Sequence, residues 1–202
     1  MFVNTAEGTR VLLTVGETNY YGEDMKKAGS ETLLPMIDSL LKKADLALSD
    51  IDVFGVCVGP GSFTGLRIGL TTVKTFCYAL GKRCFAVNNL RLGSYKVNGG
   101  KALCVADAGN NVCYVARYDG DIEVEPPTCV TLADAKLLAE KYPDHTVVTD
   151  CKSASAFNGV CGVGEAEMLV ALKKHISVAT DQKDIVPLYI RKAQPERGAG
   201  DL

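Results

Sequence analysis

The sequence predicts an α/β protein made of two similar halves. Three observations carry this expectation. Strand-like and helix-like stretches alternate along the chain. Each half opens on a strand, a polar turn, a strand, a turn and a strand, a repeat of pattern that suggests a duplicated unit. Hydrophobic residues make up 47% of the 202 positions and charged ones 23%, enough apolar surface to build a core in each half.

The first half begins "FVNTAEGTRVLLTVGETNYYGEDM", read as two strands about an Ala6-Glu7-Gly8 turn and a third strand after Gly16-Glu17. A helix follows over about 32–44. Leu33, Leu34, Ile37, Leu40, Leu41 and Ala44 share one face, Thr32 is the expected N-cap, and Pro35 falls in the first turn, where its missing N–H costs little. Asp38 and Lys42 form an i, i+4 pair on the outer side. The apolar run Val53 to Val58 reads as a strand entering a glycine-rich loop, Gly59-Pro60-Gly61-Ser62-Phe63-Thr64-Gly65, with helical periodicity from about residue 64 to 80. Leu66, Leu70, Val73, Cys77 and Leu80 make its apolar stripe; Arg67, Thr71, Lys74, Thr75 and Tyr78 make an opposite face that is polar but poor in charge. A short strand, "CFAV", follows at 84–87, and "VNGGK" at 97–101 marks the division into 1–98 and 99–202.

The second half opens with "ALCVADAGNNVCYVARYDGDIEVE". A strand ends at Ala106-Asp107, a Gly-Asn-Asn turn comes next, and Asp119-Gly120 is a hairpin signal. "LADAKLLAEKY" and "EAEMLVALKKH" read as helices, with the strand "HTVVTD" between them.

Several function classes fall away on composition. No apolar tract reaches the ~18 residues of a membrane span, and "MFVNTAEGTR" has no signal-peptide pattern, so a cytoplasmic protein is expected. Net charge is −2 and the lysines occur as scattered pairs, a poor basis for gripping RNA with this chain alone. Eight cysteines contain no C-x-x-C pair and mostly lie in apolar company, as reduced core thiols do. Two histidines, His145 and His175, leave no basis for a His-rich metal site.

The glycine loop excludes three mechanisms by spacing. No lysine follows Gly65, as a Walker A loop requires. G-x-G-x-x-x-G is one residue too long for the dinucleotide fingerprint, and Ser62 lacks the flanking glycines of a nucleophile elbow. Two readings remain open: a loop whose exposed N–H groups face a phosphate, with Ser62 or Thr64 as helix cap, or a tight structural turn.

"GPGSFTGLRIG" (59–69), "ETLLPMIDSLL" (31–41), "DAGNNVCYVA" (107–116) and "PLYIRKAQPE" (187–196) together resemble the TsaB family, also called YeaZ-like proteins, over nearly the whole chain. The resemblance implies a two-lobed fold of the actin, Hsp70 and sugar-kinase kind, with duplicated ribonuclease-H-like units. It also implies a non-catalytic partner of the related subunit TsaD, acting with TsaE to place threonylcarbamoyl on the adenosine beside the anticodon. TsaD holds its metal with a His-x-x-x-His; the matching segment here, "VNNLRLGSY", has Asn89 and Gly93 at those places, so no metal is expected. The family's usual Asp-Thr-Ser is Asn4-Thr5-Ala6 here, and its usual His before the first helix is Gly29.

From these readings Leu33, Leu34, Ile37 and Leu41 on the first helix and Arg67, Thr71, Lys74, Thr75 and Tyr78 on the second are the expected partner interface. It would be taken by TsaD, or by a second copy when the chain is alone; tRNA would be met only through the complex. The loop Gly59–Gly65 is the candidate anion-facing element, with no intrinsic cofactor expected and ATP or ADP reserved for the subunit junction. The alternative is an ATPase or small-molecule kinase of the same superfold, with Asp107 as its phosphate-side acid. A protease is unsupported by any Ser-His-Asp set or acidic pair.

Overall fold

A computed structural model describes residues 1–25, 31–150 and 154–190; Lys26, Lys27, Gly29, Cys151 and the end of the "PLYIRKAQPE" stretch lie outside the described residues. The chain forms two compact units. The first comprises Met1–Asn89 and Gly164–Leu188, and the second contains Leu90–Val163. The sequence pattern placed all of 99–202 in one half; the fold groups Gly164–Leu188 with the first unit, because the apolar side of the last helix covers the first sheet.

In the first unit the strands are β1 (Phe2–Asn4), β2 (Thr9–Val15), β3 (Thr18–Asp24), β4 (Val53–Cys57) and β5 (Arg83–Val87), in the order β3-β2-β1-β4-β5. β1 to β3 form an antiparallel meander, and β4 and β5 add in parallel beside β1. A parallel pair needs a crossover, and α1 (Leu33–Lys43) and α2 (Phe63–Leu80) supply two of them on the same face. Val3, Val11, Leu13, Phe54 and Val56 meet Leu33, Ile37, Leu40, Leu41, Leu70, Val73 and Cys77 in one core. α5 (Glu165–His175) contacts β2, and the rings of Phe2, Phe85 and His175 stand in succession at 5.7 and 5.8 Å. The central strands β1 and β4 are therefore buried along their whole length, which is why they read as continuous apolar runs rather than alternating ones.

The second unit repeats the strand order. β6 (Lys101–Gly109), β7 (Val112–Asp119) and β8 (Ile122–Thr131) form the meander, and β9 (Thr146–Thr149) and β10 (Val160–Cys161) add in parallel, giving β10-β9-β6-β7-β8. The β6–β7 turn has positive φ at Gly109, Asn110 and Asn111, the backbone that the Gly-Asn-Asn signal requires. α4 (Leu132–Lys141) crosses from β8 to β9, capped by the Thr131 hydroxyl accepting from Asp134 N–H. α3 (Asn89–Ser94) is a short helix after β5.

Helix boundaries match the periodicity within a residue, with two local corrections. Thr32 occupies the N-cap position of α1 without capping through its side chain; its hydroxyl instead meets the Thr9 hydroxyl at 3.0 Å. Leu34 does not join the buried stripe but is 53% exposed. The Asp38–Lys42 pair forms at 2.7 Å with both ends in solvent, where it contributes about 0.3–0.5 kcal/mol.

Candidate functional site: the glycine loop and the outer face of its helix

β4 ends at Cys57 and the chain turns at once into α2. Gly59 has φ of +110°, outside the range of ordinary L residues, and the Gly59–Pro60 peptide is cis. The loop is held on both sides by backbone: Asn89 N–H donates to the Gly59 carbonyl at 2.6 Å, and Leu188 N–H donates to that of Val58 at 2.8 Å. Its third contact is the β1–β2 turn. Ser62 N–H donates to the Ala6 carbonyl at 2.7 Å. A Cβ on Gly61 would stand 2.6 Å from that same oxygen, and one on Gly65 would collide with the carbonyl oxygen of Thr5. The glycines therefore let two backbones touch.

That packing bears on both readings of the loop. A phosphate-binding helix start needs free N–H groups. Here Ser62 N–H is taken by Ala6, Gly65 N–H by the Ser62 hydroxyl at 3.2 Å, and Leu66 N–H by the Ser62 carbonyl at 2.8 Å. Ser62, rather than Thr64, is the cap, and α2 starts at Phe63. Of the N–H groups at the start of α2, those of Ser62 and Gly65 are thus used within the turn, while that of Leu66 makes the ordinary helical bond.

Behind the loop lies a buried polar network that sequence patterns did not single out. Strand register places Arg10 of β2 opposite Asn4 of β1 and Glu23 of β3. The Arg10 side chain is only 3% exposed; its Nε donates to Glu23 Oε1 at 2.7 Å, and its Nη1 stands 3.8 Å from Glu7 Oε2. Burial opposes the guanidinium charge, but the hydrogen bond to Glu23 and the neighbouring Glu7 carboxylate outweigh it. Asn89 joins the parts: its amide donates to Glu7 Oε1 at 3.2 Å, and its carbonyl oxygen accepts from Asn4 Nδ2 at 3.4 Å. Asn4 Oδ1 in turn accepts from Ala6 N–H at 3.0 Å. Cys57 offers its thiol to Asn89 at 3.9 Å, and burial pushes that thiol up to about 12, so it is an inert donor. One signal was available: an arginine inside the apolar run "TRVLLTV".

Asn89 and Gly93 can be placed individually. The Asn89 side chain is committed to this network, and a Cβ on Gly93 would point toward Val148 and Cys104 of the second core. Among the described residues no cluster of three His, Cys, Asp or Glu side chains could hold a metal ion. Asp107 is used structurally: its Oδ1 accepts from Gly109 N–H at 3.0 Å, closing an Asx turn, while its own N–H donates to Asp150.

The candidate interface residues divide by exposure. Leu33, Ile37 and Leu41 lie in the core of their own unit, so the outward side of α1 is Leu34, Pro35, Asp38 and Ser39. On α2, Lys74 is half-buried, with Nζ donating to the Ile185 carbonyl at 2.8 Å. Arg67, Thr71, Thr75 and Tyr78 are exposed, Tyr78 to 79%. They continue a stripe begun by Phe63, 46% exposed, with the Arg67 guanidinium 3.9 Å above its ring. Sequence periodicity missed Phe63 because it was counted in the loop.

Comparison with known proteins follows the same outline. The family model described as TsaD, tRNA N6-adenosine threonylcarbamoyltransferase, matches residues 21–138, more than half of the chain. A Bacillus subtilis protein named tRNA threonylcarbamoyladenosine biosynthesis protein TsaB is 36% identical, with 85% of this chain and 83% of that one covered. An uncharacterised Mycobacterium tuberculosis protein is 30% identical over 82% of this chain and 76% of its own. The solved structure of YeaZ from Pseudomonas aeruginosa superposes with a TM-score of 0.79 at 18% identity, covering 93% of this chain and 97% of that one. By fold, family model and sequence identity together, this chain belongs to the TsaB (YeaZ-like) family.

Proposed function

We propose that this chain is a non-catalytic scaffold subunit of tRNA threonylcarbamoyladenosine biosynthesis. It docks a TsaD-type catalytic subunit through the outer faces of α1 and α2, in the cytoplasm. The observation that carries the docking surface is the stripe Phe63, Arg67, Thr71, Thr75 and Tyr78, long, exposed and holding a single charge. An isolated helix face of this kind is poorly solvated, whereas charge-depleted faces with aromatics and arginine suit an interface core. The repeated strand order of the two sheets supports a two-lobed, actin-like fold made by duplication. Family membership supplies the pathway, as the Bacillus subtilis relative is named for it.

The same reading places a second copy on this face when the catalytic subunit is missing, TsaE as a further member of the complex, and tRNA in contact only with the assembly. A nucleotide, ATP or ADP, belongs at the subunit junction, beside the exposed Ser62–Thr64 shoulder. The Asx role of Asp107 argues against an ATPase or kinase working within this chain. Sizing-column elution with purified TsaD tests the surface. The wild-type chain should co-elute, and the Thr71→Glu and Thr75→Glu forms should elute separately; unchanged co-elution of both variants rules this face out. Deleting the gene tests the pathway, with loss of threonylcarbamoyladenosine from cellular tRNA as the expected result.

A further inference from the structure

Asn4 at the end of β1, Ala6 in the turn after it and Asn89 at the start of α3 are all buried. With Glu7 they form a chain of side-chain hydrogen bonds whose direction is fixed at both ends. At one end stands the Ala6 N–H, which can only donate, so the Asn4 side-chain oxygen must face it, at 3.0 Å. At the other stands the Glu7 carboxylate beside Arg10, an acceptor, so the Asn89 amide nitrogen must face it, at 3.2 Å. Asn4 Nδ2 and Asn89 Oδ1 are left for one another and meet at 3.4 Å.

The same residues hold the glycine loop by their backbones. The Ala6 carbonyl accepts from Ser62 N–H at 2.7 Å, and Asn89 N–H donates to the Gly59 carbonyl at 2.6 Å. Thr5, between Asn4 and Ala6, is the seat of α2: a Cβ on Gly65 would strike its carbonyl oxygen, and one on Gly69 its side chain. Phe63 and the Arg67 stacked on it, the first members of the exposed stripe, belong to this seated stretch of helix.

We propose that Asn4, Asn89 and Glu7 are positioning residues for partner docking. Their one-way relay sets the angle at which α2 leaves the glycine loop, and with it the pose of the Phe63–Arg67 end of the stripe. This rests on the reading of α2 as the docking helix. Asn4 and Asn89 are buried, so they act through the helix and not by touching a partner.

The relay makes a chemical demand at position 4. Aspartate has the shape of asparagine but no N–H, so Asn4→Asp sets a carboxylate against the Asn89 oxygen. If the Asn89 amide turns over to donate to it, the Asn89 oxygen faces the Glu7 carboxylate and the chain breaks there instead. Adding Glu7→Gln removes the conflict. The new amide donates to Asn89 Oδ1, Asn89 Nδ2 donates to the new carboxylate, and that carboxylate still accepts from Ala6 N–H. The negative charge stays near Arg10, which strand register sets opposite position 4. The Cys57 thiol, 3.9 Å from Asn89 Oδ1, can accept as well as donate, so it tolerates the reversal.

The test measures affinity for purified TsaD by titration calorimetry, on intact chains first verified as folded by circular dichroism. Asn4→Asp should bind about tenfold more weakly than wild type, the scale of one broken hydrogen bond. The Asn4→Asp, Glu7→Gln double variant should recover most of that loss. A folded Asn4→Asp chain with wild-type affinity overturns the proposal, and so does a double variant that binds no better than Asn4→Asp. If Asn4→Asp does not fold, the double variant carries the test: folding and binding support the relay, and failure of either overturns it. Thr75→Glu, on the docking face and outside the relay, separates the two ideas. If it abolishes binding while Asn4→Asp leaves binding unchanged, only the relay fails. A wild-type chain that never binds TsaD overturns the docking reading and the relay with it.

Discussion

The two sheets share a strand order but not a way of covering it. In the first unit an 18-residue helix, α2, crosses between the fourth and fifth strands, and its Leu70, Val73 and Cys77 close the core over Phe54 and Val56. In the second unit the corresponding connection joins β9 to β10 in about ten residues and, among the described ones, contains only the short helical turn Ala154–Ala156. Phe157, with Ala156 beside it, packs onto Leu103, Val105, Cys113, Val115 and Ala135. A strand order can be completed by one aromatic side chain, so the long helix of the first unit does more than complete a sheet. It presents an outer face, and its glycines seat it on the β1–β2 turn.

The sharpest challenge to this comparison is Phe157→Ala. If Phe157 stands in for a helix, its loss should cost about 3–4 kcal/mol. Amide exchange should quicken in β6 and β9 while β4 keeps its protection; equal loss in both sheets would break the distinction. Gly65→Ala comes next, at about 2–3 kcal/mol by urea denaturation, because the new methyl must displace the Thr5 carbonyl rather than a flexible side chain. Asn89→Ala should cost about 2 kcal/mol, since it strips partners from the Asn4 amide and Glu7, and Asn89→Asp should also destabilise by putting a carboxylate beside that of Glu7.

Acid should affect the second unit through Asp144. Hydrogen bonds from Lys101, then His145, hold its carboxyl at about 2, below the ordinary 3.8. A depressed folded value contributes stability above the unfolded one and loses it as pH falls, here between about 4 and 2. Lys101→Met should flatten that limb of the pH–stability curve, with the group's exposure keeping the effect small. Smallest of all should be Thr75→Glu, within about 0.5 kcal/mol of wild type in thermal unfolding. It is meant to remove partner binding while leaving the fold alone.

α1 and α2 were readable because each carries an amphipathic stripe, and α5 begins and ends with the stretch "EAEMLVALKKH", whereas the six-residue α3 was not read as a helix. The meanders were readable from their turn residues, above all Gly109-Asn110-Asn111 and Asp119-Gly120. Leu33, Ile37 and Leu41 show where such reading stops. Their spacing marks an apolar face, but a face turned to a partner and one turned to the protein's own sheet obey the same period. Phe63 was missed for the converse reason: a residue at a helix start has no preceding turn to reveal its side.

By itself, the sequence determined the α/β class, the doubled strand pattern, the family and the absence of known phosphate-loop spacings, all of which depend on local periodicity and residue order. Tertiary structure alone decided that Ser62 N–H goes to the Ala6 carbonyl, that Arg10 is enclosed by Glu7 and Glu23, and that Gly164–Leu188 returns to the first unit. Those outcomes depend on residues far apart in the chain, brought together by strand register and helix packing. No local pattern encodes such distances.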